Sequence, residues 1–147
     1  MSKFPRETAY SLIELLVALS LFSVLCSLAV IDYTELQNPA DNAGRAMYAY
    51  FKTVQGKSMA TTSTYTVWPV SSTEIRATSA ASCSSAEQLI DAELRFVLPS
   101  GAHIGNLDWQ ICYNSRGLAN NSADISVNDS RVSRVLRLAL GGGVKLE

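Results

Sequence analysis

The chain has 147 residues and a formal charge of −1, with 48% hydrophobic and 17% charged residues, three cysteines and one histidine. This balance excludes a bulk polycation, so any nucleic-acid binding needs a local basic patch. The single His103 leaves a zinc site dependent on thiols or carboxylates gathered around it.

The first residues are short and basic, with Lys3 and Arg6. From Leu15 to Ile31 there is no charged side chain. A helix rising about 1.5 Å per residue covers roughly 26 Å over that run. Adding residues 10–14 completes the roughly 30 Å of a bilayer's hydrocarbon core. Glu14 is the anomaly in this segment. An ionised carboxylate at the centre of a membrane helix costs roughly 2.5–3.5 kcal/mol on insertion scales and less near the interface, so Glu14 is expected to have a partner. Lys3 and Arg6 precede the span and no strong positive cluster follows it, which places the N-terminus in the cytoplasm and the remainder outside.

Other N-terminal signals fit less well. A secretory signal peptide has an apolar core of about 7–15 residues and an A-x-A-like cleavage site. The run here is longer, and residues 26–31 offer a poor site. A lipoprotein signal needs small residues before its cysteine, whereas Val24 and Leu25 precede Cys26. A plain signal anchor leaves Glu14 unexplained.

The helix is expected to continue past Ile31 and to break at Asn38-Pro39. There asparagine caps a new helix, proline suits its first position, and Asp41 favours its first turn. Ala43, Met47, Tyr50, Phe51 and Val54 fall at helical spacing and form an apolar stripe to pack under a sheet. Gly44 and Gly56 weaken this helix, which is expected to end by Thr61. Residues 61–70 then read as a strand, with Pro69 marking its end or an edge position. Residues 74–77 read as a returning strand, and 78–85 as a serine-rich loop around Cys83. Further strands are expected at 94–98, closing on the Pro99-Ser100-Gly101 turn, and at 107–113, leaving through a turn at 114–117. The last strands are expected at 123–127 and 135–140, where Leu136, Leu138 and Leu140 share a face. Gly141-Gly142-Gly143 turns the chain into Val144-Lys145-Leu146. The pattern is α+β: a long N-terminal helix packed against a small antiparallel β-sheet or β-sandwich head.

Removing the two cations Lys3 and Arg6 and the two anions Glu7 and Glu14 leaves the rest of the chain at −1. Cys26 lies in the apolar run and reads as a small apolar residue. Cys83 and Cys112 lie in the head, in an oxidising space, and are a candidate disulfide. Closing a loop of about thirty residues would stabilise the head by roughly 3–4 kcal/mol in the chain-entropy picture. No G-x-S-x-G, P-loop, H-E-x-x-H or C-x-x-C is present, and no serine sits in an activating context. No enzyme activity, cofactor or metal is expected.

The string Ala9-Tyr10-Ser11-Leu12-Ile13-Glu14-Leu15-Leu16-Val17-Ala18-Leu19 resembles the N-terminus of type IV prepilins and type II secretion pseudopilins. The resemblance implies a leader, 1–9, cut by prepilin peptidase between Ala9 and Tyr10, with Tyr10 N-methylated. It implies a transmembrane and assembly helix at 10–31, and at 32–147 an amphipathic helix with an extracytoplasmic β-rich head. Ala9 stands where the family usually has glycine, and Tyr10 where it has phenylalanine. Glu14 falls at the fifth place after the cut, where the family's glutamate neutralises a neighbouring subunit's N-terminal amine in a low-dielectric filament core. The implied partners are other pilin subunits, prepilin peptidase and the inner membrane, with final residence in a pilus or pseudopilus.

The later segments, Leu98-Pro99-Ser100-Gly101, Ile111-Cys112-Tyr113-Asn114-Ser115-Arg116-Gly117 and a terminal hairpin, look like the H-type pseudopilins and FimT-like minor pilins. Ile111, Tyr113 and Gly117 match that group's apolar–aromatic–glycine places. This implies a minor pilin serving adhesion, motility or DNA uptake, with a type II secretion pseudopilin as the alternative. A membrane-anchored DNA- or ligand-binding domain that does not polymerise is the reading from another class. Some FimT-like proteins bind DNA through a Gly-Arg-x-Arg-like motif in the last hairpin. Here that motif aligns on Gly142, Gly143, Val144 and Lys145, keeping only the final basic place. Arg131, Arg137 and Arg116, with Lys145, are the candidate DNA contacts.

Overall fold

The computed structural model describes residues 11–36 and 38–147, with the side chains of 27–36 left aside. The chain divides into two compact units, Met1–Gln37 and Asn38–Glu147. In the first, α1 (Leu12–Leu36) runs past Ile31 as the sequence predicts.

In the second unit, α2 (Pro39–Thr61) starts as expected. Asn38 caps it, its Oδ1 accepting from the Asp41 N–H at 3.1 Å, while Pro39 fills a position whose N–H would be unpaired anyway. The helix ends through Thr62, whose φ of +52° is left-handed and turns the chain toward the sheet. The strands are β1 (Thr64–Ser71), β2 (Glu74–Ala80), β3 (Leu89–Ile90), β4 (Phe96–Val97), β5 (His103–Ile104), β6 (Ile111–Tyr113), β7 (Ala123–Asn128), β8 (Ser133–Leu138) and β9 (Val144–Leu146). They form two antiparallel sheets. The first has the order β3-β2-β1-β6 with β4 also on β2, and the second β5-β7-β8-β9.

Helix α2 lies against β1 and β6 of the first sheet and against β7, β8 and β9 of the second. Its predicted stripe of Ala43, Met47, Tyr50, Phe51 and Val54 is buried. Against it pack Tyr65, Val67, Ile75, Ala77, Ile111 and Tyr113 from one sheet, and Ile125, Val127, Leu136 and Leu138 from the other. Fully burying each large side chain of this kind stabilises by about 1.5–3 kcal/mol, so the stripe fixes where both sheets sit. Gly44, read from sequence as a weak point, is a contact point. A Cβ there would stand 2.7 Å from Leu146 Cδ1, so its absence leaves room for the Leu146 side chain against the helix.

Several boundaries differ from expectation for local reasons. Pro69 lies inside β1, opposite Ile75, but β6 pairs only with residues 65–67, so the other edge of β1 is open where proline lacks its N–H. The expected strand at 94–98 reduces to Phe96–Val97. Asp91 caps a short 3-10 turn at Ala92–Leu94, accepting from the Glu93 N–H at 3.1 Å. Of 107–113 only Ile111–Tyr113 pairs, because Trp109 leaves the strand path to pack on Phe51, ring centroids 5.9 Å apart. Its indole N–H donates to the Asn106 carbonyl at 2.9 Å. Leu140 does not share the buried face of Leu136 and Leu138. β8 ends at Leu138, and Leu140 is exposed in the turn that the Ala139 N–H to Gly143 carbonyl bond closes.

Candidate functional site

Ser11 and Glu14 form a reciprocal cap at the start of α1. The Ser11 N–H donates to Glu14 Oε2 at 3.0 Å, and the Glu14 N–H donates to Ser11 Oγ at 3.3 Å. This is the capping box a Ser-x-x-Glu spacing builds, satisfying N–H groups that the first helical turn cannot. The carboxylate also lies at the positive end of the helix dipole. Ala9 and Tyr10, the expected cleavage and methylation positions, lie outside the described residues. Along the chain, Glu14's carboxylate is bonded to the backbone of the residue that directly follows Tyr10.

Beyond this cap, the described side chains of α1 are apolar on all sides. Leu12, Ile13, Leu15, Leu16, Val17, Leu19, Leu21, Phe22, Val24 and Leu25 are all exposed. Such a helix needs a non-aqueous surrounding or companion helices. Ser20 Oγ donates to the Val17 carbonyl at 2.8 Å, so that hydroxyl is satisfied within the helix. Among the described residues no helix is long and apolar enough to cross a membrane. The described side chains stop at Cys26, and the uncharged run continues in sequence to Ile31.

In the head, Cys83 and Cys112 are joined by a disulfide, with Cα atoms 5.9 Å apart. It ties the loop after β2 to β6. The candidate DNA contacts are distributed unevenly. Arg137 and Lys145 face each other across β8 and β9. Both are engaged by carboxylates: Arg137 by Asp124 at 3.0 Å and Glu147 at 3.5 Å, and Lys145 by Glu147 at 2.7 Å. The Lys145 ammonium, with Arg137 nearby, holds the Glu147 carboxyl below its usual range. Arg131 sits in the β7–β8 turn, at the opposite end of that hairpin from Arg137. Arg116 sits in the turn after β6, where its N–H donates to Asn114 Oδ1 at 2.9 Å. Among the described residues no group of three His, Cys, Asp or Glu is placed to hold a metal ion.

Gly142, in the aligned motif, has a packing reason to be glycine. Its φ is +75°, and a Cβ would collide with the Gly117 carbonyl and the Gln55 amide. Gln55 Nε2 donates to that same carbonyl at 2.8 Å, docking the two turns onto α2.

Two functional features were not read from the sequence. The Ser11 partner of Glu14 was available as a Ser-x-x-Glu spacing. Asp129, which accepts from the Ala40 N–H at the start of α2 at 3.2 Å, carried no such signal, being 89 residues away.

The comparisons address the N-terminal segment and the fold separately. The family described as the prokaryotic N-terminal methylation motif matches residues 5–30. The matched residues carry the methylation motif, and the fold is pilin-like. In structure the chain is similar to the type IV minor pilin FimU of Pseudomonas aeruginosa in two crystal forms. In one, the TM-score is 0.54 at 10% identity, covering 73% of this chain and 91% of that one. In the other it is 0.55 at 12% identity, covering 79% and 90%. No curated protein matches the chain.

Proposed function

We propose that this chain is a minor pilin, cut between Ala9 and Tyr10, methylated at Tyr10, and built into a type IV pilus through its N-terminal helix. The observation that carries this reading is the Ser11–Glu14 cap at the head of a helix that is apolar on all sides, within the span of the methylation motif. The cap holds the carboxylate at the end of the helix where a cut before Tyr10 would create an amine. A neutral backbone donor already engages it. A neighbouring subunit's ammonium would bring a full opposite charge to the carboxylate, an attraction that a low-dielectric helix core strengthens. Among packed apolar helices an unpaired charge costs several kcal/mol, so subunits out of register would be penalised and the pair would select the correct stagger.

The likeness of the head to a type IV minor pilin supports the pilus over a secretion pseudopilus. The disulfide fits a head in an oxidising compartment outside the cytoplasm, with the N-terminus inside. The role is structural rather than catalytic. Replacing Glu14 with alanine in the native host should leave protein level and cleavage intact and remove the subunit from sheared pili. Undiminished incorporation of the variant would refute the pairing role.

A DNA-uptake role has one supporting observation, the placement of Arg137 and Lys145 side by side. Phosphates would have to displace Asp124 and Glu147. Binding of duplex DNA by the full chain should then weaken steeply with salt and disappear in the Arg131→Ala/Arg137→Ala variant. Retention of binding by that variant would exclude these contacts.

A further inference from the structure

The outer face of the first sheet carries a cleft of about 420 Å³, within the range of small-ligand sites. Trp68 of β1, Gln88 before β3, and Leu107, Asp108 and Gln110 of the loop into β6 line it. Strand register explains the gathering. Thr66 pairs with Thr78 on one side and Cys112 on the other, and Trp68 pairs with Arg76. These side chains therefore share one face, opposite the face that Tyr65, Val67 and Ala77 present to the core. The loop from Ala81 to Gln88 lies over that outer face, where Thr66, Thr78 and Cys112 are buried. It is pinned by the Cys83–Cys112 disulfide and by the Thr78 hydroxyl donating to Gln88 Oε1 at 2.8 Å. The disulfide thus holds one wall of the cleft in place.

The chemistry of the lining is specific. Trp68 is half-buried and presents an aromatic surface. Its indole N–H, the Asp108 carboxylate and the Gln110 amide have no hydrogen-bond partner among the described residues, whereas the Trp109 indole is committed to Asn106. No lysine or arginine lines the cleft, and neighbouring Arg76 is held by Glu74 at 2.7 Å. A phosphate or nucleic acid would therefore meet Asp108 with no cation to compensate. A ring with one apolar face and a rim of hydroxyls, each both donor and acceptor, would use every group: its face on Trp68, its hydroxyls on Asp108, Gln110 and the indole N–H. We infer that this cleft binds a neutral saccharide, one or two sugar units in size. This inference does not depend on filament assembly.

The test uses the full chain in a detergent without a sugar headgroup, titrated with maltose, lactose and N,N′-diacetylchitobiose while tryptophan fluorescence and heat are recorded. At least one sugar should give saturable binding with a Kd near or below roughly 1 mM. Trp68→Ala should weaken it by about tenfold or more, and Trp68→Tyr should retain part of it. Asp108→Asn and the Cys83→Ser/Cys112→Ser pair should each weaken it, with thermal unfolding confirming that every variant is folded. No saturable response to any of the three at roughly 10 mM would overturn the assignment. So would undiminished binding by Trp68→Ala. Saturable binding of tetramethylammonium or of an oligothymidylate through Trp68, without sugar binding, would reassign the cleft to a cation or a nucleobase and equally overturn it.

Discussion

Two core tyrosines of the head carry opposite expectations. Tyr50 donates its hydroxyl to the Leu94 carbonyl at 2.8 Å. The Tyr113 hydroxyl is buried and has no partner among the described residues. Burial pushes both phenols above their ordinary range, for Tyr50 with help from Asp91. Losing a satisfied hydrogen bond costs about 0.5–1.5 kcal/mol, and leaving its partner unpaired can cost more. Deleting an unsatisfied hydroxyl removes a desolvation cost instead. Tyr50→Phe should therefore lower the urea midpoint of unfolding by an amount equivalent to about 1 kcal/mol, while Tyr113→Phe should leave it unchanged or raise it. Equal losses in the two variants would contradict this assignment of partners. Glu14 belongs to the same scale. Its oddity in an apolar segment was legible, because a charge among leucines is conspicuous in any reading.

At the level of elements, the start of α2 is held from two directions. Asn38 caps it locally, and Asp129 reaches it from the β7–β8 turn. Asp129 Oδ1 also accepts from the Arg131 and Val132 N–H groups at 2.6 and 2.7 Å. Those two bonds first, and the Ala40 bond after them, hold its carboxyl below the usual range. Asp41, bonded to Arg45, and Glu74, bonded to Arg95 and Arg76, are depressed likewise. A carboxyl depressed in the folded state stabilises above its unfolded value, near 3.8 for aspartate and 4.5 for glutamate, and that stability is lost as pH falls through the depressed values. The melting temperature should thus be flat from pH 7 to about pH 5 and fall steeply below pH 4. Asp129→Asn should melt lower at pH 7 and lose less on acidification. An identical acid profile in that variant would show that Asp129 is not one of the groups responsible. The same contrast explains what was legible. The α2 cap and stripe were, since Asn38, Pro39 and the apolar spacing lie within one stretch of chain. β1, β2, β7 and β8 were found because each is long enough to alternate. β3 and β5, two residues each, carry no period, and Trp109 breaks its strand for a contact with Phe51 that sequence spacing does not encode. Among the candidate site residues, the disulfide was inferable from compartment alone. The ion pairs that occupy Arg137 and Lys145 depend on sheet register and were not.

For the whole molecule, the central claim is that the apolar helix is an assembly device. Everything that follows in the head would then be cargo carried into a filament. The motif at residues 5–30 and the pilin-like fold of the head come from separate parts of the chain and point the same way. The most direct measurement is the intact mass and N-terminal sequence of the protein isolated from its native membrane, in cells with an active prepilin peptidase. The account predicts a chain beginning at Tyr10, heavier than the unmodified cleaved chain by one methyl group. A chain that still begins at Met1 would contradict it. The protein would then be a static, anchored domain whose function lies in what the head binds.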